Sequence, residues 1–170
     1  MSNTPDPPRW LNAEEEEAWV LLTGLLLKLP NALDADLRRH SGISHFEYLI
    51  LSSLSESEGH MLPMGDLATL SISTPSRLSH AVSRLEGRGW IVRRPDPANA
   101  RFMLARLTEA GFAVLAAAAP GHVETVRSMV FDTLDPEQVA QLKSIAAGIL
   151  AKTDTDHDWP PRGTRHGAAN

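Results

Sequence analysis

Residues 74–107 read TPSRLSHAVSRLEGRGWIVRRPDPANARFMLARL, and the fold is decided there. Thr74 is a side-chain cap and Pro75 suits the first position of a helix, which glycines stop at Gly87 or Gly89. Two strand-like runs follow, residues 90–94 and 101–107. They flank a Pro/Asp/Asn turn (residues 95–100) and predict a β-hairpin with an arginine-decorated tip. At about 100° per residue from Arg77, the side chains of His80, Arg84 and Arg88 fall near 300°, 340° and 20°. Leu78, Val82 and Leu85 fall at about 100°, 140° and 80°, so the helix has one polar, basic face and one apolar face.

A short helix-forming segment, Met64 to Leu70, precedes this stretch, and Ser44 to Ser55 reads as a further helix with Ser44 as cap and Glu47 as its capping-box partner. Gly59 marks the turn between them. Short helices followed directly by a two-stranded hairpin give the order of a winged helix-turn-helix, whose second helix enters the DNA major groove. Arg77, His80 and Arg84 are then candidates for bases or adjacent phosphates, and Arg88, on the same face, is a further DNA-binding candidate. The hydroxyls of Ser73, Thr74 and Ser76 suit phosphate oxygens beside a helix N-terminus. Arg101 at the hairpin tip suits a narrow minor groove, and Arg93 and Arg94 suit the backbone. The alternative reading is a solvated edge hairpin whose charges prevent aggregation.

The charge distribution agrees with an anionic partner. Residues 75–106 hold seven arginines against Glu86 and Asp96, a balance of +5, while the rest of the chain carries 9 basic and 19 acidic residues, or −10. The whole chain, 170 residues with net charge −5, is therefore not a uniformly basic protein, yet it has one concentrated basic segment. At 42% hydrophobic residues it has material for one core. The absence of cysteine excludes disulfides, thiol nucleophiles and thiolate metal sites. No basic-plus-apolar leader and no uninterrupted apolar run of bilayer length is seen, so a cytoplasmic protein without a membrane partner is expected.

Outside residues 43–108, assigned to the winged domain, the pattern is helical. Residues 1–12 are Pro-rich and expected to be flexible. Over 13–42, Leu22, Leu26, Leu29, Leu33 and Leu37 keep a helical period, and Trp19, Val20, Leu21, Leu25 and Leu27 spread round the cylinder. Such a helix needs a second face buried, as against another subunit. Pro30 is expected to kink or split it. Residues 109–152 are expected to form further helices, the first opened by Thr108 and interrupted at Pro120-Gly121, the last opened by Asp135, Pro136 and Gln138. The tail, 153–170, reads as disordered. The fold class is mainly α with a small β-hairpin wing.

The run Met64-Gly-Asp-Leu-Ala-Thr-Leu, Ser76 to Gly89, Asp96-Pro to Arg101, and Leu107-Thr-Glu-Ala-Gly111 resembles the MarR family of winged-helix regulators. Trp19, Glu47-Tyr48, Pro120-Gly-His-Val123 and the closing helix extend the resemblance over roughly residues 14–150. It implies an obligate homodimer with interlocked terminal helices and two wings reading a pseudo-palindrome in double-stranded DNA, more often a repressor released by a small phenolic or aromatic ligand. In such a ligand crevice Trp19 and Tyr48 would stack, with His45 or His40 as a polar contact; as core aromatics they would do neither. Where the family often has a second acidic residue before the wing arginine this chain has Asn99, leaving Asp96 to pair with Arg101. Trp90 stands where a smaller aliphatic residue is usual and reads as core.

No cofactor is implied. His40, His45, His60 and His122 show no metal-ligand spacing, and Asp154-Thr-Asp156-His157-Asp158 is only a loose cluster. No nucleophile motif or phosphate loop supports an enzyme. A winged helix used for non-specific DNA binding or protein contacts, or a metal-responsive regulator, is the alternative.

Overall fold

The computed structural model describes residues 8–153. The expectations for residues 1–7, for the tail from 154 and for the Asp154–Asp158 cluster lie outside them. The chain divides into two compact units, Met1–Ala32 and Leu33–Asn170. The division falls within the first helix, α1 (Ala13–Ser41), because Leu37 of its last turns is buried in the core of the second unit.

α1 opens with a reciprocal cap that the sequence reading missed: Asn12 N–H donates to Glu15 and Glu15 N–H to the Asn12 side chain, both at 2.9 Å. It then runs through Pro30 as a single helix, so the expected split does not occur. Proline removes one backbone donor, and the long helical stretches on either side outweigh that single loss. By length and composition alone α1 is apolar enough to cross a membrane, although Thr23, Gly24 and Lys28 interleave its leucines. Trp19, Val20, Leu21, Leu25, Leu26 and Leu27 are all exposed.

In the second unit, α2 (His45–Glu56), α3 (Met64–Leu70) and α4 (Pro75–Gly87) pack with a sheet of three strands. The expected hairpin is β2 (Ile91–Pro95) against β3 (Met103–Leu107), with Ile91 opposite Leu107 and Arg93 opposite Ala105. A third strand, β1 (Met61–Pro63), joins the other edge of β3 and places Leu62 opposite Ala105. Three residues ending in proline carry too little alternation to be read as a strand, so β1 was missed.

The predicted caps form. Ser44 and Glu47 make the full capping box of α2, Thr74 Oγ1 accepts Arg77 N–H, and Thr108 Oγ1 accepts Gly111 N–H. The predicted apolar face of α4, Leu78, Val82 and Leu85, is buried with Ile50, Leu51, Leu54, Leu67 and Ile91. Trp90 packs against this core as expected.

α5 (Glu109–Met129) is continuous through Pro120, contrary to the expected interruption. Its alanine-rich first half, residues 116–119, favours helix strongly enough to carry one missing hydrogen bond. α6 (Pro136–Thr153) begins at the predicted Asp135–Gln138 box, with both reciprocal bonds at 2.9 Å. None of its described residues is buried.

Candidate nucleic-acid interface

The helix-turn-helix is α3, a tight turn and α4. The core side of α4 faces inward, and Ser76, Arg77, Ser79, His80, Ser83 and Arg84 are exposed. Of the residues selected from sequence, Ser76 and His80 lie on the outward side, together with serines not selected. On the same wheel Ser76 and Ser83 fall at about 260° and 240°, opposite the leucines, and Ser79 at about 200°, to one side, so periodicity carried the signal.

The arginines occupy a flank of α4 rather than its outermost line, and the N-terminus of α2 holds them. The Arg77 guanidinium lies 4.2 Å from the centre of the Phe46 ring. Arg84 Nε donates to Glu47 Oε1 at 3.3 Å. Glu47 is only 5% exposed. Burial pushes its pKa up, but the Ser44 N–H, the Ser44 hydroxyl and Arg84 together outweigh burial and hold the carboxyl below its ordinary value. Arg88 lies past the end of α4 as its C-cap, where its guanidinium reaches the Gly42 carbonyl and the Trp90 ring.

The wing is anchored to α4 by Arg93. Its backbone N–H donates to Glu86 Oε1 at 3.1 Å and its Nε to Oε2 at 2.9 Å, with a second guanidinium nitrogen on the same oxygen. That paired fork gives the Arg93 guanidinium a partner within the protein. Arg94 is exposed and donates to the Met61 sulfur.

At the tip, the expected Asp96–Arg101 ion pair is absent among the described residues. Asp96 instead accepts the Ala98 N–H at 2.8 Å, and the Asn99 side chain accepts the Arg101 N–H at 3.2 Å. Phe102 N–H donates to the Asn99 carbonyl, and Asp96 N–H to the Phe102 carbonyl, both at 2.9 Å. Short polar side chains thus fold the turn through backbone donors. Arg101 is exposed without a carboxylate partner among the described residues. Between the wing and α4 lies an open recess of about 380 Å³, lined by Met64, Gly65, Pro75, Ser79, Arg93, Arg101, Phe102 and Met103. Just before Pro75 in the chain, the Thr74 oxygen is spent on the α4 cap and Ser73 Oγ donates to the Thr74 carbonyl.

Of the residues expected at a ligand crevice, His45 and Tyr48 come together on α2, one turn apart. Both face His122 of α5, with ring centres 5.6 Å and 4.3 Å from it. Trp19 belongs to the first unit and is exposed, and His40 pairs with Asp36 at 3.0 Å. No group of three metal-ligating side chains occurs among the described residues.

Burial lowers the pKa of both His45 and His122; Asp34 opposes the shift at His45, while Asp36 opposes it and His45 adds to it at His122. Lowered histidine pKa values mean that the unfolded chain binds protons first as pH falls below about 6.5. The contribution of this cluster is therefore complete above that pH and lost on acidification until the folded histidines also protonate. Unfolding midpoints measured from pH 7.5 to 5.5 should fall, and His122→Gln should flatten the slope. An equally steep slope in that variant would refute the assignment.

A family model described as MarR family matches residues 43–102. Among solved structures, the Streptomyces coelicolor MarR family transcriptional regulator Sco3205, in complex with DNA, is 41% identical with a TM-score of 0.83, covering 94% of this chain and 98% of that one. AbsC, another MarR family regulator of Streptomyces coelicolor, is 35% identical with a TM-score of 0.81, covering 86% and 98%. The transcriptional regulator BldR of Sulfolobus solfataricus, 22% identical with a TM-score of 0.70 over 84% and 99%, shares the fold. No curated protein matches the chain.

Proposed function

The chain belongs to the MarR family of transcriptional regulators, and on that premise we propose that it is a homodimer that reads a pseudo-palindromic operator and represses transcription until a small aromatic ligand releases it. The observation that carries the DNA reading is a single surface holding the outward Ser76, Ser79, His80 and Ser83 of α4 and the unpaired Arg101 of the wing. Hydroxyls and an imidazole suit base edges and phosphates in the major groove, and an unpaired arginine on a stiff arm suits the minor groove. Arg77 and Arg84, on the flank, are placed for phosphates beside the groove. Family members are transcriptional regulators, not enzymes, and one that acts on chromosomal DNA works in the cytoplasm.

Dimerisation is supported by apolar side chains left in solvent on three helices: Trp19 to Leu27 of α1, Val123 and Met129 of α5, and Ile145 and Ile149 of α6. A second copy would cover all three. A bilayer would suit α1 but not α6, whose Glu137, Gln138, Gln141 and Lys143 interleave its apolar positions. The effector reading rests on His45, Tyr48 and His122, a cluster of rings at the junction of α2 and α5 where a flat ligand could change how the winged part sits.

Selection of random duplexes by the purified protein should enrich an inverted repeat whose half-sites lie about 34 Å apart, one turn of DNA. Against that operator Arg101→Ala should lose about 1–3 kcal/mol, roughly 5- to 150-fold in affinity. A pool without an inverted repeat, or an Arg101→Ala variant that binds like wild type, would refute the reading.

A further inference from the structure

The turn between α3 and α4 sets conformation against residue type. Ser73 N–H donates to the Ala68 carbonyl and Ile72 N–H to the Thr69 carbonyl, both at 3.0 Å. This nested pair of bonds closes α3 with Ile72 at the residue that must turn left-handed, and its φ is 45°. Glycine, or asparagine, ordinarily occupies such a site, because a Cβ there crowds the next carbonyl, most severely when it is branched. Packing does not compensate, since Ile72 is 71% exposed and takes no part in the core. The other non-glycine residue of positive φ among the described residues, His60, has a local reason: its Nδ1 bonds the Ser55 carbonyl at 2.9 Å.

A branched apolar side chain held in water on a strained backbone is unfavourable on both counts. Such strain persists where a residue acts on something outside the chain. Ile72 stands two residues before the Thr74 cap, beside the exposed Ser76, Arg77 and His80 that begin α4. In the major groove the apolar group on a base edge is the C5-methyl of thymine. We infer that Ile72 is a specificity-determining residue that packs on a thymine methyl at the edge of each half-site. The inference rests on the DNA-reading function proposed above.

The test uses the full-length protein and the operator recovered by selection, with each thymine replaced in turn by deoxyuridine, which lacks only the methyl. Wild type should lose about fourfold per half-site at one symmetric thymine, the worth of one buried methyl-sized group. Ile72→Gly and Ile72→Asn should bind thymine and deoxyuridine probes alike. Relief of the strained turn should raise their unfolding midpoints by about 2–4 °C, so weaker binding by these variants is not a folding defect. If wild type recovers an operator but is indifferent to every methyl, or if Ile72→Gly keeps the methyl preference, this inference is overturned while the DNA reading stands. If no sequence is recovered, both fall.

Discussion

Gly111→Ala should destabilise the protein by about 3 kcal/mol, the upper end for overpacking a tight site. A Cβ at this buried position would lie 2.2 Å from the Trp90 carbonyl oxygen, 2.7 Å from Leu107 Cδ1 and 3.0 Å from the Trp90 carbonyl carbon. Leucine can rotate away, but a backbone carbonyl cannot retreat without breaking what it holds, and this one accepts the Thr108 N–H at 3.0 Å. Thr108 in turn caps α5 through the Gly111 N–H and donates its hydroxyl to the Gly89 carbonyl at 2.8 Å. One methyl group would therefore loosen the start of α5 from the segment that leads into β2. Gly121→Ala is the matched control: it lies in the same helix with nothing within 4 Å, and should stabilise by about 0.5–1 kcal/mol through helix propensity. Denaturant midpoints of the two variants should move in opposite directions. A loss below 1 kcal/mol for Gly111→Ala would show that α5 is not held at Trp90.

Gly111 also shows what a sequence yields and what it withholds. The resemblance included Leu107-Thr-Glu-Ala-Gly111 as a string, and the Thr108 cap was legible from residue type alone. The reason for the glycine was not, because the crowding atom belongs to Trp90, 21 residues earlier. The same division holds across the fold. Helices with side-chain caps and an apolar stripe were legible, since their determinants lie within four residues. Pro120 was read as an interruption because the sequence shows the missing donor but not the helical neighbours that outweigh it; for Pro30 the same neighbours exclude a split. Strand β1 was invisible because its stability comes from β3, more than 40 residues away.

At the candidate site, composition located the basic segment but could not show which arginines are held by partners within the protein. Arg93 is held by Glu86, Arg84 by Glu47 and Arg77 by Phe46. Arg101, expected to pair with Asp96, is exposed and has no carboxylate partner among the described residues, because Asp96 and Asn99 turn inward to the backbone of the tip. The contacts of Arg77, Arg84 and Arg93 tie α4 to the N-terminus of α2 and to the wing.

Glu47→Ala is the substitution that tests this coupling, with an expected loss of about 3 kcal/mol. One carboxylate oxygen accepts the Ser44 N–H at 2.9 Å and the Ser44 hydroxyl at 3.0 Å, and the other accepts Arg84. Alanine leaves the buried cap donors without a partner, worth about 1 kcal/mol for the cap and about 1.5–3 kcal/mol for hydrogen bonds to a charged group. The Arg84 contribution alone is small, below about 1 kcal/mol, because its side chain is largely in solvent. Glu47→Gln separates the two parts: its amide oxygen keeps the Ser44 bonds but its charge is gone, so it should lose about 1 kcal/mol. Because the folded pKa of Glu47 is lowered, its stabilisation is present above pH 4.5 and disappears as pH falls through the lower folded value. Glu47→Ala should therefore remove part of the acid-induced destabilisation below pH 4.5 while leaving the histidine-linked change between pH 7.5 and 5.5 intact. In a double-mutant cycle, Arg84→Ala should have a smaller effect in the Glu47→Gln background than in wild type. Equal effects in both backgrounds would mean that the buried carboxylate caps α2 without orienting α4.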